Sequence, residues 1–108
     1  MLVAPCTGNT LAKLANAVTD TPVTMAVKAH LRNAKPVVLA ISTNDGLGLN
    51  AKNLGVLLAA RNVYFVPFSQ DNAFSKPTSI IAHYNLIEST IEEANLGKQI
   101  QLLVQAAW

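Results

Sequence analysis

Charge is scarce in this sequence. Asp, Glu, Lys and Arg make up 13% of its 108 residues, about half of the roughly 25% usual in a globular protein. Apolar residues make up 51% and mean hydropathy is +0.31, so a buried core is expected and disorder is excluded. So little polar surface predicts that another chain covers part of the apolar exterior, in a homo-oligomer, a complex with a different subunit, or both. The lone cysteine, Cys6, excludes an intrachain disulfide and fits a reducing cytoplasm. No apolar run reaches the ~18 residues that span a bilayer, and the first residues lack the charged-then-apolar pattern of a signal peptide. The expectation is a cytoplasmic protein without a membrane segment. The net charge of +2 is scattered, with no basic cluster among aromatics, so no nucleic-acid partner is expected. The HExxH, GxSxG, GxGxxG and P-loop signatures are absent.

What is present is an alternation of short apolar runs and helix-period segments, the pattern of an α/β sheet with crossover helices. Met1 to Ala4 reads as the end of a buried strand stopped by Pro5. Leu11, Leu14, Ala15 and Val18 mark one face of a helix from about Thr10 to Val18,. Thr21 followed by Pro22 is an N-cap and first-turn signal for a second helix to about Leu31,. Val37 to Ile41 runs without polar alternation, as a strand of a parallel sheet buried on both faces does,. A third helix is expected near Asn50 to Arg61 and a strand at Val63 to Val66. Ser69 to Thr78, polar and carrying Pro77, reads as a long loop,. Asn85 and Glu88 have the spacing of a capping box for a last helix, which Gly97 ends,. The tail from Lys98 to Trp108 is apolar at Ile100, Leu102, Leu103 and Val104 and could pack on this chain or a partner.

Two loops follow expected strands, and open α/β sheets bind ligands beyond the carboxyl ends of their strands. The first is Pro5-Cys6-Thr7-Gly8-Asn9-Thr10. It offers a glycine for close approach, two hydroxyls, an amide and the free N–H groups of a helix start, which suit an anion; the same residues would equally serve as a helix cap. The second is Ser42-Thr43-Asn44-Asp45-Gly46, able to hydrogen-bond a flat ligand or simply to make an Asx turn. Thr7, Gly8, Asn9, Thr10, Asn44 and Asp45 are therefore the candidate ligand contacts, with Ser79 an outlying one. None of them is assigned a catalytic proton-transfer role, and no metal site is expected. His30 and His83 lack ligand spacing and read as helix-end or surface residues, Cys6 reads as a small packed residue, and Glu88, Glu92 and Glu93 as a solvated helix face,.

The run from Ala4 through Val23 resembles the strand–loop–helix signature of the flavin-containing cysteine decarboxylase-like superfamily, whose loop often reads Pro-Ala-Ser-Ala-Asn-Thr. Pro5, Asn9 and Thr10 match it, Thr7 replaces a serine, and Lys13 and Asp20 fit the continuation. The combination of Ser42-Thr43-Asn44-Asp45-Gly46-Leu47-Gly48, Asn50-Ala51-Lys52-Asn53 and Tyr64-Phe65-Val66-Pro67-Phe68 is similar to the B subunits of dipicolinate synthases. That resemblance implies a three-layer α/β fold with a flavodoxin-like parallel sheet, truncated at its N-terminal half, so that residues 1–108 are the C-terminal part of a flavoprotein-like domain. It implies a role in oxidising a dihydrodipicolinate-type precursor to dipicolinate during sporulation, beside an A-type subunit that would hold NADP. The superfamily's first strand and Ser/Gly-rich phosphate loop have no counterpart in this sequence, so an FMN site here is incomplete. Ile41-Ser42-Thr43-Asn44 stands where the decarboxylases have Pro-Ala-Met-Asn, which disfavours peptidyl-cysteine decarboxylation. Three functions stay open: a synthase subunit, an FMN-dependent enzyme in its own right, and a non-enzymatic remnant or scaffold.

Overall fold

Burial on both faces makes Val37–Thr43 (β2) the centre of the sheet: Val37 through Ile41 are all buried. The computed structural model describes residues 1–106. Leu2–Cys6 (β1) and Val63–Phe65 (β3) pair with β2 in parallel, on its two sides. Gly8–Ala15 (α1) and Pro22–Arg32 (α2) connect β1 to β2, and Ala51–Leu58 (α3) connects β2 to β3. Successive crossovers in one direction are right-handed and place their helices on one face. Leu11, Val27, Leu54 and Leu57 accordingly pack with Val37, Leu39 and Ile41. Side chains alternate along a strand, so Val38 and Ala40 face the other way, onto Ala94 and Ile91 of Ile87–Asn95 (α4). The three layers expected are present.

The parallel strands are joined by an antiparallel extension that the apolar pattern does not reveal. Phe68–Asn72 (β4) and Lys76–Ala82 (β5) form a hairpin, and β5 pairs with Ser42 and Thr43 at the end of β2. Most of the segment expected to be a long loop is therefore sheet. Its Pro77 is accommodated where the register shifts between Gln70 and Asn72, since a proline without an N–H fits an irregularity better than a regular ladder,. Pro5 behaves alike. It does not stop β1, because one extra residue is absorbed between Val3 and Cys6,. Nor is β1 buried on both faces: Leu2, Ala4 and Pro5 are exposed, and among the described residues β1 pairs with β2 alone. The free edge of β3 is instead covered by Gln99, whose side-chain amide bonds both the N–H and the carbonyl of Phe65 at 2.8 and 2.7 Å,.

Helix ends follow local chemistry. Thr21 caps α2 with Thr24 in a reciprocal box, Pro22 following at the first helical position,. The box expected from Asn85 and Glu88 does not form: Tyr84–Leu86 make a 3-10 turn and α4 begins without a side-chain cap. Gly97, at φ +75°, ends α4 as expected, with Lys98 N–H donating to Glu93 O and Gly97 N–H to Ala94 O,. The same closure ends α1 and α2, but on alanines, Ala17 at φ 58° and Ala34 at φ 56°. This is why α1 stops short of Val18. Left-handed backbone costs an alanine roughly 1–2 kcal/mol, so Ala34→Gly is expected to raise stability by about 0.5–1 kcal/mol after the entropy of the unfolded glycine is counted, measurable by urea denaturation. Part of the apolar tail returns to the fold, since Leu103 joins the core and Val104 bridges in parallel to Phe68. Trp108 lies outside the described residues.

Candidate functional site

β1 and β2 are parallel neighbours, so the turns that leave them rise from the same rim of the sheet,. Each turn has a local cause. Thr7 takes an extended conformation and caps α1, its Oγ1 accepting the Thr10 N–H at 3.3 Å,. The amides of Gly8 and Asn9 then open the helix, where no intrahelical acceptor exists for them. Thr7 and Asn9 are exposed and Thr10 half-buried. In the second turn Asp45 Oδ1 accepts from Thr43 Oγ1 at 2.7 Å, and Asn44 is exposed, its carbonyl taking the Thr78 hydroxyl at 2.6 Å.

The two turns touch through Asn50. This residue stands at the N-cap of α3 but does not cap it; its side chain crosses to the rim instead. Nδ2 donates to Gly8 O at 3.3 Å and to Asp45 Oδ1 at 3.0 Å, while Oδ1 accepts from buried Asn53 at 2.8 Å. Asn53 in turn takes a hydrogen bond from Asn16 at the end of α1. Gly8 is required by this closeness, since a Cβ there would lie 2.5 Å from Thr43 Oγ1 and 2.9 Å from Asn50 Nδ2. The hydrogen bonds from Asn50 and then Thr43 hold the Asp45 carboxyl below the usual carboxylate range,, so it is ionised at neutral pH.

Thus Thr7, Gly8, Asn9, Thr10, Asn44 and Asp45 share one rim. They divide by what they face. Thr7, Asn9 and Asn44 are exposed, whereas Asp45 Oδ1 is engaged inside the chain. Ser79 is buried and points its hydroxyl at Thr43 O, 3.4 Å away, so it braces the second turn from behind. Asn50 and Asn53, part of the family-like motif, are not among the contacts that the two loops suggest. They occupy the inward stripe of α3 with Leu54 and Leu57, at positions 50, 53, 54 and 57, and asparagine in a buried stripe was the signal available,. Of the two places expected for His83, it takes the helix end: it is the N-cap of the 3-10 turn Tyr84–Leu86 and is buried, with Nε2 2.8 Å from Ser69 Oγ.

Cys6 is fully buried and packed in the core, and burial pushes its thiol up to about 12,. The native protein is expected to leave a disulfide reagent such as DTNB unreacted at pH 8, and to release one thiol equivalent in denaturant. Because this thiol ionises more easily once unfolded, its linkage contribution is complete below the ordinary thiol value and is lost as pH rises toward 12,. Among the described residues no cluster of three metal-ligating side chains occurs, and no helix is long and apolar enough to cross a membrane.

A three-layer α/β sheet with its polar turns at the carboxyl rim of neighbouring parallel strands is the architecture of flavodoxin-like proteins. Residues 1–96 match the model of the Flavoprotein family, and the chain belongs to that family. It is 54% identical to the dipicolinate synthase B subunit of Bacillus subtilis (strain 168) over 101 residues, 94% of this chain and 50% of that protein. The crystal structure of the dipicolinate synthase B subunit from Bacillus halodurans C superposes with a TM-score of 0.98 at 51% identity, covering 100% of this chain and 55% of that one. The chain therefore spans about half the length of the relatives it matches.

Proposed function

We propose that this chain serves as a B-type subunit of dipicolinate synthase, its β1/β2 rim forming part of the site where a dihydrodipicolinate-type precursor is oxidised to dipicolinate in endospore-forming bacteria. The observation that carries this reading is the joining of the two outward turns through Asn50, in a chain sharing 54% identity with such a subunit. An A-type partner would bring NADP.

The rim suits one end of a flavin nucleotide. The amides of Gly8 and Asn9 and the hydroxyls of Thr7 and Thr10 would hold the phosphate of FMN. Asp45 would not contact it, because its ionised carboxylate is committed to Asn50 and Thr43 and repels a second anion,. FMN, when bound, supplies hydride transfer. A second copy, or polypeptide beyond these residues, would complete the site around the ring.

Dipicolinate formation by an A-type subunit, measured with and without this chain, tests the reading; a higher rate with the chain is expected, and an unchanged rate overturns it. Flavin absorbance after incubation with FMN and gel filtration tests the cofactor, and a colourless protein removes FMN. The pairing of β1 with β2 alone among the described residues favours a second reading, a scaffold that docks the partner without flavin. Stimulation by a colourless chain would support it.

A further inference from the structure

We propose that Thr78, on the β4–β5 hairpin, is a positioning residue of the rim: it fixes the backbone of Asn44 so that the exposed Asn44 amide is set in place for a ligand. Its role toward a ligand rests on the proposed reading of the rim; the grip itself does not. Thr78 Oγ1 donates to Asn44 O at 2.6 Å, and the backbone carbonyl of Thr78 accepts the Leu47 N–H at 3.0 Å. One residue thereby holds the second turn on either side of Asp45 and Gly46. Its methyl faces Gly48, standing 3.6 Å from where a Cβ there would lie.

The turn is shaped around three consecutive residues of β5. After Thr78, Ser79 Oγ donates to Thr43 O at 3.4 Å, and Ile80 pairs with Thr43 in the antiparallel register. Gly46 is buried against the same strand, and a Cβ there would run into the Ile80 side chain. The Asn50 network holds a different part of the rim, reaching Gly8 and Asp45. Asn44 takes its hydrogen bond from Thr78, and its side-chain amide makes none among the described residues. That amide is therefore available to a ligand, on a backbone that is already restrained. A group ordered beforehand loses less freedom on binding, which raises affinity without any new contact. The hairpin is thus part of the frame of the site, and Thr78 acts through Asn44 rather than by touching a ligand.

Thr78→Val removes the hydroxyl while keeping the methyl, the backbone carbonyl and a good strand former. Nitrogen-15 relaxation without ligand is expected to show Asn44 more mobile on the picosecond-to-nanosecond scale in T78V. In T78S, which retains the hydroxyl, Asn44 should stay as ordered as in the wild type. In FMN titrations followed by amide shifts, T78V is expected to bind roughly three- to tenfold more weakly, the share of one hydrogen bond. T78S should bind within about twofold of the wild type. The Gly8 and Asn9 amides, held by α1, should reach the same shifts at saturation in all three chains. Circular dichroism and thermal unfolding establish that each variant is folded. Asn44 order unchanged in folded T78V, or lost in T78S as in T78V, overturns the grip. A changed order with unchanged FMN affinity, in a chain whose Asn44→Ala variant binds weakly, overturns the role toward the ligand. A wild-type chain that binds no FMN, with Asn44 loosened in T78V, instead sinks the reading of the rim and leaves the grip standing.

Discussion

Asn50→Ala is expected to lower stability by about 2–4 kcal/mol, because one truncation leaves a buried amide and two half-buried acceptors short of partners. Gly8 O and one bond to Asp45 Oδ1 lose their donor, and the buried Asn53 amide loses its acceptor. The losses share one network and are not additive, hence the moderate figure. In a domain of this size that lowers Tm by on the order of 10–20 °C, read by calorimetry. Asn50→Asp keeps the shape and can still accept from Asn53, but it sets a second carboxylate against Asp45. Its defect should be large at neutral pH and shrink as one of the pair is protonated. In the wild type the sign is opposite. Asp45 is held below the ordinary carboxylate range, so its contribution is present above that range and is lost as pH falls through its lowered value. A defect for Asn50→Ala below about 0.5 kcal/mol, the level of an ordinary surface substitution, would mean the two turns are not held together by this side chain.

Gly8→Ala is expected to cost about 1–3 kcal/mol, the usual range for overpacking. The reason is steric, not conformational, since the residue lies in the first turn of a right-handed helix. The added methyl meets Thr43 Oγ1 at 2.5 Å and Asn50 Nδ2 at 2.9 Å, so the turns must part. Thr43→Ala removes the nearer obstacle, and the double mutant should recover at least about 0.5 kcal/mol relative to additivity. Strictly additive effects in urea denaturation would place Gly8 away from Thr43.

The parts of the fold legible in the sequence are those decided locally. The unbroken apolar run at Val37 to Ile41 could only be a strand buried twice, and Thr21-Pro22 starts a helix wherever its apolar face finds cover. The β4–β5 hairpin was illegible because Gln70, Asp71 and Asn72 are polar and Pro77 interrupts it. Its order comes from pairing with Ser42 and Thr43, a contact about forty residues away in the chain. Edge strands with irregular register carry weak patterns. Pro5 and Pro77 read as breaks because an irregular register, which tolerates them, leaves no local mark. At the site, the residue types in the two turns were legible as candidates. Their division into outward groups and an internally bonded Asp45 depends on Asn50, whose reach across to Gly8 no spacing rule reveals.

Amide chemical shifts of the isotopically labelled chain during titration with FMN test the central claim most directly. The Gly8 and Asn9 amides and the Asn44 side chain are expected to shift together along one saturation curve, while residues of α4 stay still. Shifts confined to another surface, or none at the rim at millimolar FMN, would contradict it.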